Sequence, residues 1–198
     1  MSVEQRPAPG NGRPDGRKMS WQDKFVAQDA GLGCARVQYG ALCWREGNEG
    51  IEVLLITSRN TGRWVIPKSW PLPGLAPEAA AAQEAWEEAG VSGEVSPLRV
   101  GQFGYLKVLA ADASVPCAVA VYGVKVSRLA DTFPEAKERS RKWFPLLVAA
   151  GLVDEPDLGE IIAGFTPPQG GRPLPIIAED GEKAEASRRR KLEKRRGH

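Results

Sequence analysis

The sequence predicts an α+β domain, with one well-bounded helix between two groups of strands and further helices towards its end. Three observations carry that expectation. Ala35–Trp44 and Ile51–Ser58 have strand composition, and Pro77–Ala89 is an alanine-rich run opening on proline and closing before Gly90. Beyond it, Val95–Leu109 and Cys117–Val126 are rich in β-branched and aromatic residues and read as paired strands.

Taken in order, residues 1–20 are rich in Pro, Gly and Arg and poor in apolar residues, so a disordered N-terminal tail is expected there. In the first strand Val37, Tyr39, Ala41 and Cys43 alternate with other side chains. REGNEG then reads as a turn, and IEVLLITS as a more buried strand. Trp64-Val65-Ile66 is a short strand stopped by Pro67, and 67–76 is expected to be a loop. Gly101 and Gly104 inside a strand signal a bulge or a close approach. Lys142-Trp143-Phe144 reads as a last short strand, Pro145–Gly151 as a helical turn, and Asp157–Phe165 as a helix. The expected organisation is a tail at 1–20, a domain at 21–166, and a Pro/Gly linker with a basic tail at 167–198.

Composition excludes several chemistries. The only histidine is His198, which removes histidine triads and histidine metal sites from the body of the chain. Cys34, Cys43 and Cys117 are odd in number and form no CxxC pair, so neither a disulfide framework nor a thiolate zinc site is expected. That fits a cytoplasmic setting. No apolar run approaches the ~20 residues of a membrane span, and the N-terminal segment lacks the apolar centre of a secretory signal. Charge is segregated. Residues 21–186 hold 16 Lys/Arg against 22 Asp/Glu, whereas SRRRKLEKRRGH at 187–198 is strongly basic. The acidic body gives no reason to expect nucleic-acid binding, and only the tail offers an RNA or polyanion contact.

The chemistry concentrates on the helix. Glu84, Glu87 and Glu88 stand at i, i+3 and i+4, which gathers three carboxylates on one helical face. Ala79, Ala82, Ala85, Trp86 and Ala89 fall on the other side and are expected to pack on a sheet, leaving the glutamates on an exposed face. Clustered carboxylates repel, and a hard cation such as Mg²⁺ or Mn²⁺ removes the repulsion while keeping waters for phosphate oxygens. A solvated glutamate-rich surface is the plain alternative.

The segment 64–91, WVIPKSWPLPGLAPEAAAAQEAWEEAGV, resembles a Nudix box with its preceding strand. EAWEEAGV matches the core of the box, while VLLITSR, RWVIP and RKWFPLLVAAGLVDEP resemble the diphosphoinositol polyphosphate phosphohydrolase branch, over roughly 33–165. The resemblance implies an α/β/α sandwich on a mixed sheet, metal ligation by Glu84, Glu87 and Glu88, and hydrolysis of a nucleoside or inositol diphosphate derivative. Three positions depart from the pattern. Ser69 stands for the leading glycine, Leu75 for an isolated glutamate and Gln83 for an arginine. In the family the last two pair and orient the metal-binding glutamates, so that support is expected to be weaker here.

Other residues complete the expected site. Glu87 and Glu88 are catalytic candidates through the metal. Glu138, with Glu135 beside it, is the candidate general base, against a solvated mixed-charge loop. Arg59, Arg63 and Lys68 flank the strand entering the box and are expected to meet substrate phosphates, with Arg36 weaker. Trp70 is placed to stack on a base or pack on the core, and Trp86 is expected in the core. The reading is a Mg²⁺- or Mn²⁺-dependent hydrolase of a small diphosphate or polyphosphate. Its rivals are a non-catalytic Nudix module binding such a ligand, and an RNA-associated protein guided by the basic tail.

Overall fold

The fold comes from a computed structural model, which describes residues 35–110, 113–169 and 172–173. Among these residues eight strands form one mixed sheet. They are β1 (Arg36–Gly47), β2 (Gly50–Thr57), β3 (Trp64–Val65), β4 (Lys68–Ser69), β5 (Val91–Ala110), β6 (Ala113–Leu129), β7 (Arg141–Pro145) and β8 (Arg172–Pro173). The main order is β3-β2-β1-β6-β5-β8, with β4 on β1 and β7 on β2. β1 runs parallel to β6 and antiparallel to β2. The helices among the described residues are α1 (Pro77–Ala89), α2 (Leu146–Leu152) and α3 (Pro156–Ala163).

Strand alternation divides the core into two layers. Ala41 and Cys43 of β1, with Leu54 and Ile56 of β2, pack with Ala81, Ala82, Ala85 and Ala89 of α1. The intervening residues Leu42, Trp44, Val53 and Leu55 pack with Ala149, Leu158 and Ile162 of α2 and α3. Helices therefore cover both sheet faces, as the α/β/α expectation requires, and β1 and β2 are apolar on both sides. Alanines let α1 lie close to the strands. Two buried thiols, Cys43 and Cys117, are free, and burial pushes both above their ordinary pKa. Cys34 lies outside the described residues. No helix among the described residues is long and apolar enough to cross a membrane.

The α1 bounds follow from local chemistry. Pro77 occupies the first turn, where its missing N–H costs nothing. Gly90 caps the other end at φ 66°, ψ 26°, donating its N–H to the carbonyls of Ala85 and Trp86. A Cβ there would also meet the Phe133 ring at 2.7 Å and the Ala130 carbonyl oxygen at 2.8 Å. Gly101 has the other reason for being glycine. It lies at a register shift between β5 and β6, and a Cβ would meet Ile161 of α3 at 2.6 Å.

Several details differ from the sequence expectation. Lys68 and Ser69 form a strand within the expected loop, because their backbones pair with Gly40 and Tyr39 of β1. β5 begins at Val91, directly after the glycine cap, rather than at Val95. Trp86 is only half-buried and lies outside both core layers, where Ala81 and Ala85 make the contact instead. β8 lies within the segment read from composition as linker and pairs Arg172 and Pro173 with Val95 and Glu94. The N-terminal tail and the basic C-terminal tail fall outside the described residues.

Candidate functional site

The glutamate face of α1 is not exposed. Glu84, Glu87 and Glu88 have 2%, 9% and 5% of their surface exposed, and the loop between β6 and β7 bonds to the last two of these residues. That loop satisfies the last carbonyls of the helix, which have no partner within it. Glu135 donates its backbone N–H to the Glu87 carbonyl at 3.0 Å, and Ala130 donates to Gly90 at 2.8 Å. Arg141 of β7 donates a guanidinium N–H to the Ala89 carbonyl at 2.6 Å. α1 has no basic residue in its last turn, so Arg141 brings the positive charge that a helix C-terminus favours.

The same loop delivers an arginine that the sequence did not single out. Arg139 Nη2 donates to Glu88 Oε1, Nε to Glu135 Oε2 at 2.7 Å, and Nη1 to the Thr57 carbonyl at 2.9 Å. The Arg139 and Glu88 side chains are each 7% exposed, so this is an interior ion pair. Glu88 Oε2 meanwhile accepts the backbone N–H of Lys68 at 3.2 Å. Gln83, standing where the resemblance puts an arginine, donates Nε2–H to Glu87 Oε1 at 2.9 Å. Support for these carboxylates is therefore present. It comes as a neutral amide on the helix and an arginine from a distant loop. Arg139 sits in the run EAKERSRK, whose composition matches a solvated loop, and only its tertiary position gives it away.

Of the expected phosphate-binding residues, Arg59 and Lys68 lie near Glu88, and Arg59 and Arg63 already have acidic partners. Arg59 Nη1 contacts Glu135 Oε1 at 3.2 Å and Glu138 Oε2 at 3.1 Å. Burial pulls the Arg59 pKa down, and Glu135, Glu138 and Glu88 more than offset that, so it holds its proton more tightly than usual. Arg63 contacts the buried Glu155 at 2.8 Å and Asp154 at 3.5 Å. Lys68 is partly buried, with Nζ 5.3 Å from the Tyr105 ring centroid. Burial lowers its pKa, Glu88 and Glu155 oppose that, and Arg63 and Arg139 reinforce it. The Tyr105 hydroxyl donates to buried Gln38 at 2.6 Å. Arg36 begins β1 and is exposed. Trp70 lies under Lys107, whose ammonium is 4.5 Å from the ring centroid.

Of the two base candidates, Glu138 is at the rim, with half of its side chain exposed, whereas Glu135 is buried between Arg59 and Arg139. The solvated-loop alternative therefore does not describe Glu135.

The donor set matches a hard divalent ion in kind, since it consists of carboxylates. The arrangement does not match. Among the described residues no three acidic, histidine or cysteine side chains converge on one point, and both oxygens of Glu88 accept protein hydrogen bonds.

A family model described as NUDIX domain matches residues 35–165. The chain belongs to the Nudix family. Among curated proteins it is 30% identical to diphosphoinositol polyphosphate phosphohydrolase 3-alpha of Homo sapiens, over 52% of this chain and 60% of that protein. It is 31% identical to Nudix hydrolase 16, mitochondrial, of Arabidopsis thaliana, over 61% of this chain and 68% of that one. The chain thus spans about three fifths of the length of the diphosphoinositol polyphosphate phosphohydrolases it matches first. A solved Ap4A hydrolase from C. elegans aligns with a TM-score of 0.48 at 19% identity, over 65% of this chain and 94% of that one.

Proposed function

We propose that this chain is a Nudix pyrophosphohydrolase acting on a diphosphate linkage in a nucleoside or inositol diphosphate derivative. Dependence on Mg²⁺ or Mn²⁺, with Glu84, Glu87 and Glu88 as ligands, belongs to that reading, as does a cytoplasmic setting. The supporting observation is the burial of three carboxylates on one helical face in a Nudix-family chain. Removing a carboxylate from water costs several kcal/mol even after relaxation. A fold that gathers three of them gains most when a cationic or phosphate-bearing ligand uses them.

In this reading the protein's own groups divide the work. Lys68 meets the diphosphate from within the fold, where an incoming anion restores the charge that burial disfavours. Arg59 and Arg63 stand on either side and exchange part of their contact with Glu138 and Asp154 for phosphate oxygens. Glu138, at the rim, accepts the proton of the attacking water.

One observation favours a second reading, a Nudix module that binds a nucleotide or polyphosphate without turning it over. Arg139 holds Glu88, and the positions expected to be Gly, Glu and Arg are Ser69, Leu75 and Gln83. A panel of dinucleoside polyphosphates, nucleotide sugars and inositol pyrophosphates, each incubated with Mg²⁺ and with Mn²⁺, separates the two. Ion-dependent release of product supports the hydrolase. Saturable binding across the panel with no product would support the module and overturn the hydrolase.

A further inference from the structure

The carboxylates of α1 match a divalent ion in chemistry but not in arrangement, and a protein cation already occupies one of them. Arg139 spends its guanidinium on Glu88, Glu135 and the Thr57 carbonyl. A group that merely oriented Glu88 for an ion would leave one carboxylate oxygen open towards the other glutamates. Here Oε1 faces Arg139 and Oε2 faces the Lys68 N–H. A divalent cation sharing Oε1 with a guanidinium would be repelled by it at short range, in an interior that screens poorly.

We propose that Arg139 is a built-in cation that neutralises Glu88 in the ion-free protein, and that a divalent ion binds the α1 glutamates only by displacing it. The proposal rests on the reading of Glu84, Glu87 and Glu88 as an ion site and adds how that site is regulated. Displacement does not strand the arginine, because Glu135 still holds Nε at 2.7 Å and already shares its other oxygen with Arg59. The loop carrying Arg139 is fixed independently, through Thr57 N–H to the Ser140 carbonyl and Ser140 N–H to Thr57 Oγ1, both at 2.9 Å. The guanidinium can therefore swing from Glu88 while its backbone stays in place. Apparent ion affinity is lowered by the cost of that exchange, as for any ligand whose competent state is a minor one.

The test uses the full chain and Mn²⁺ alone, read by titration calorimetry and by melting temperature with and without the ion. Arg139→Met keeps the stem and removes the charge. It should bind Mn²⁺ about tenfold or more tightly than wild type, on the scale by which groups around metal ligands tune affinity. Without ion it should melt below wild type, since Glu88 loses its buried guanidinium partner, and Mn²⁺ should raise its melting temperature by more than it raises that of wild type. Arg139→Lys keeps a charge but lacks the planar fork, so it should fold if the methionine variant does not and bind Mn²⁺ with intermediate affinity. Mn²⁺ binding that is equal or weaker in both variants, with wild type binding normally, would overturn the displacement idea and leave the ion site standing. No Mn²⁺ binding by wild type or either variant would overturn both.

Discussion

Glu135 donates its backbone N–H to the carbonyl oxygen of Glu87 at 3.0 Å, so the loop before β7 is tied to the turn of α1 that carries the carboxylates. The loop and the helix end form one unit, and Gly90 is the joint between them. It needs φ 66° and has no room for a Cβ between Phe133, the Ala130 carbonyl and Arg141. Gly90→Ala is therefore expected to destabilise the fold by about 2 kcal/mol or more, combining left-handed backbone strain with a clash. Denaturant unfolding measures it. A loss under about 0.5 kcal/mol, the range of an ordinary surface substitution, would show that the loop is not seated on the helix end.

Gln83→Met tests whether the helix itself supports Glu87. It removes the 2.9 Å bond to Glu87 Oε1 and keeps the helix propensity of the position. The expected cost is about 1 kcal/mol, read as a lower denaturant midpoint with an unchanged slope. Unchanged stability would mean that this bond is not formed in solution.

The two ends of α1 also mark what was legible in the sequence. Pro77 and Gly90 gave the ends of α1 because their constraints are local: a fixed φ with no N–H at one end, and a left-handed φ at the other. The composition of β1 and β2 likewise marked both as strands, and β2 as the more buried, although not which helices cover them. The environment of the glutamates was not legible. Helical spacing puts Glu84, Glu87 and Glu88 on one face but cannot tell whether a loop some 50 residues later will cover it. Arg139 was hidden for the same reason, since its partners Glu88 and Thr57 are 51 and 82 residues away. β4 was missed because two residues directly after Pro67 carry no periodic pattern, and only pairing with β1 makes them a strand.

Lys68 couples stability to pH. Burial lowers its folded pKa below the unfolded value, so its ammonium costs stability wherever it is charged. In the window between the lowered and the ordinary lysine pKa the unfolded chain binds more protons than the folded one. Stability contributed at this position therefore rises with pH across that window. Lys68→Met should flatten that rise and be more stable at neutral pH by roughly 1 kcal/mol, while binding a diphosphate ligand about tenfold more weakly. Melting curves from neutral to mildly alkaline pH, with and without inorganic pyrophosphate, test both parts. A methionine variant that is less stable at every pH would show that Lys68 is held by Glu88 and Glu155 more strongly than burial opposes it.

Turnover by wild type and Glu87→Gln, on whichever member of the diphosphate panel is hydrolysed, tests the role of the α1 carboxylates most directly. The amide keeps the shape of the side chain and removes the charge expected to engage the ion. Glu87 is buried beside two other carboxylates, so losing its charge should leave the ion-free melting temperature equal to or slightly above that of wild type. Product release in the presence of Mg²⁺ or Mn²⁺ should fall by about 100-fold or more. Hydrolysis by a folded Glu87→Gln protein at the wild-type rate would contradict the assignment of catalysis to this helix.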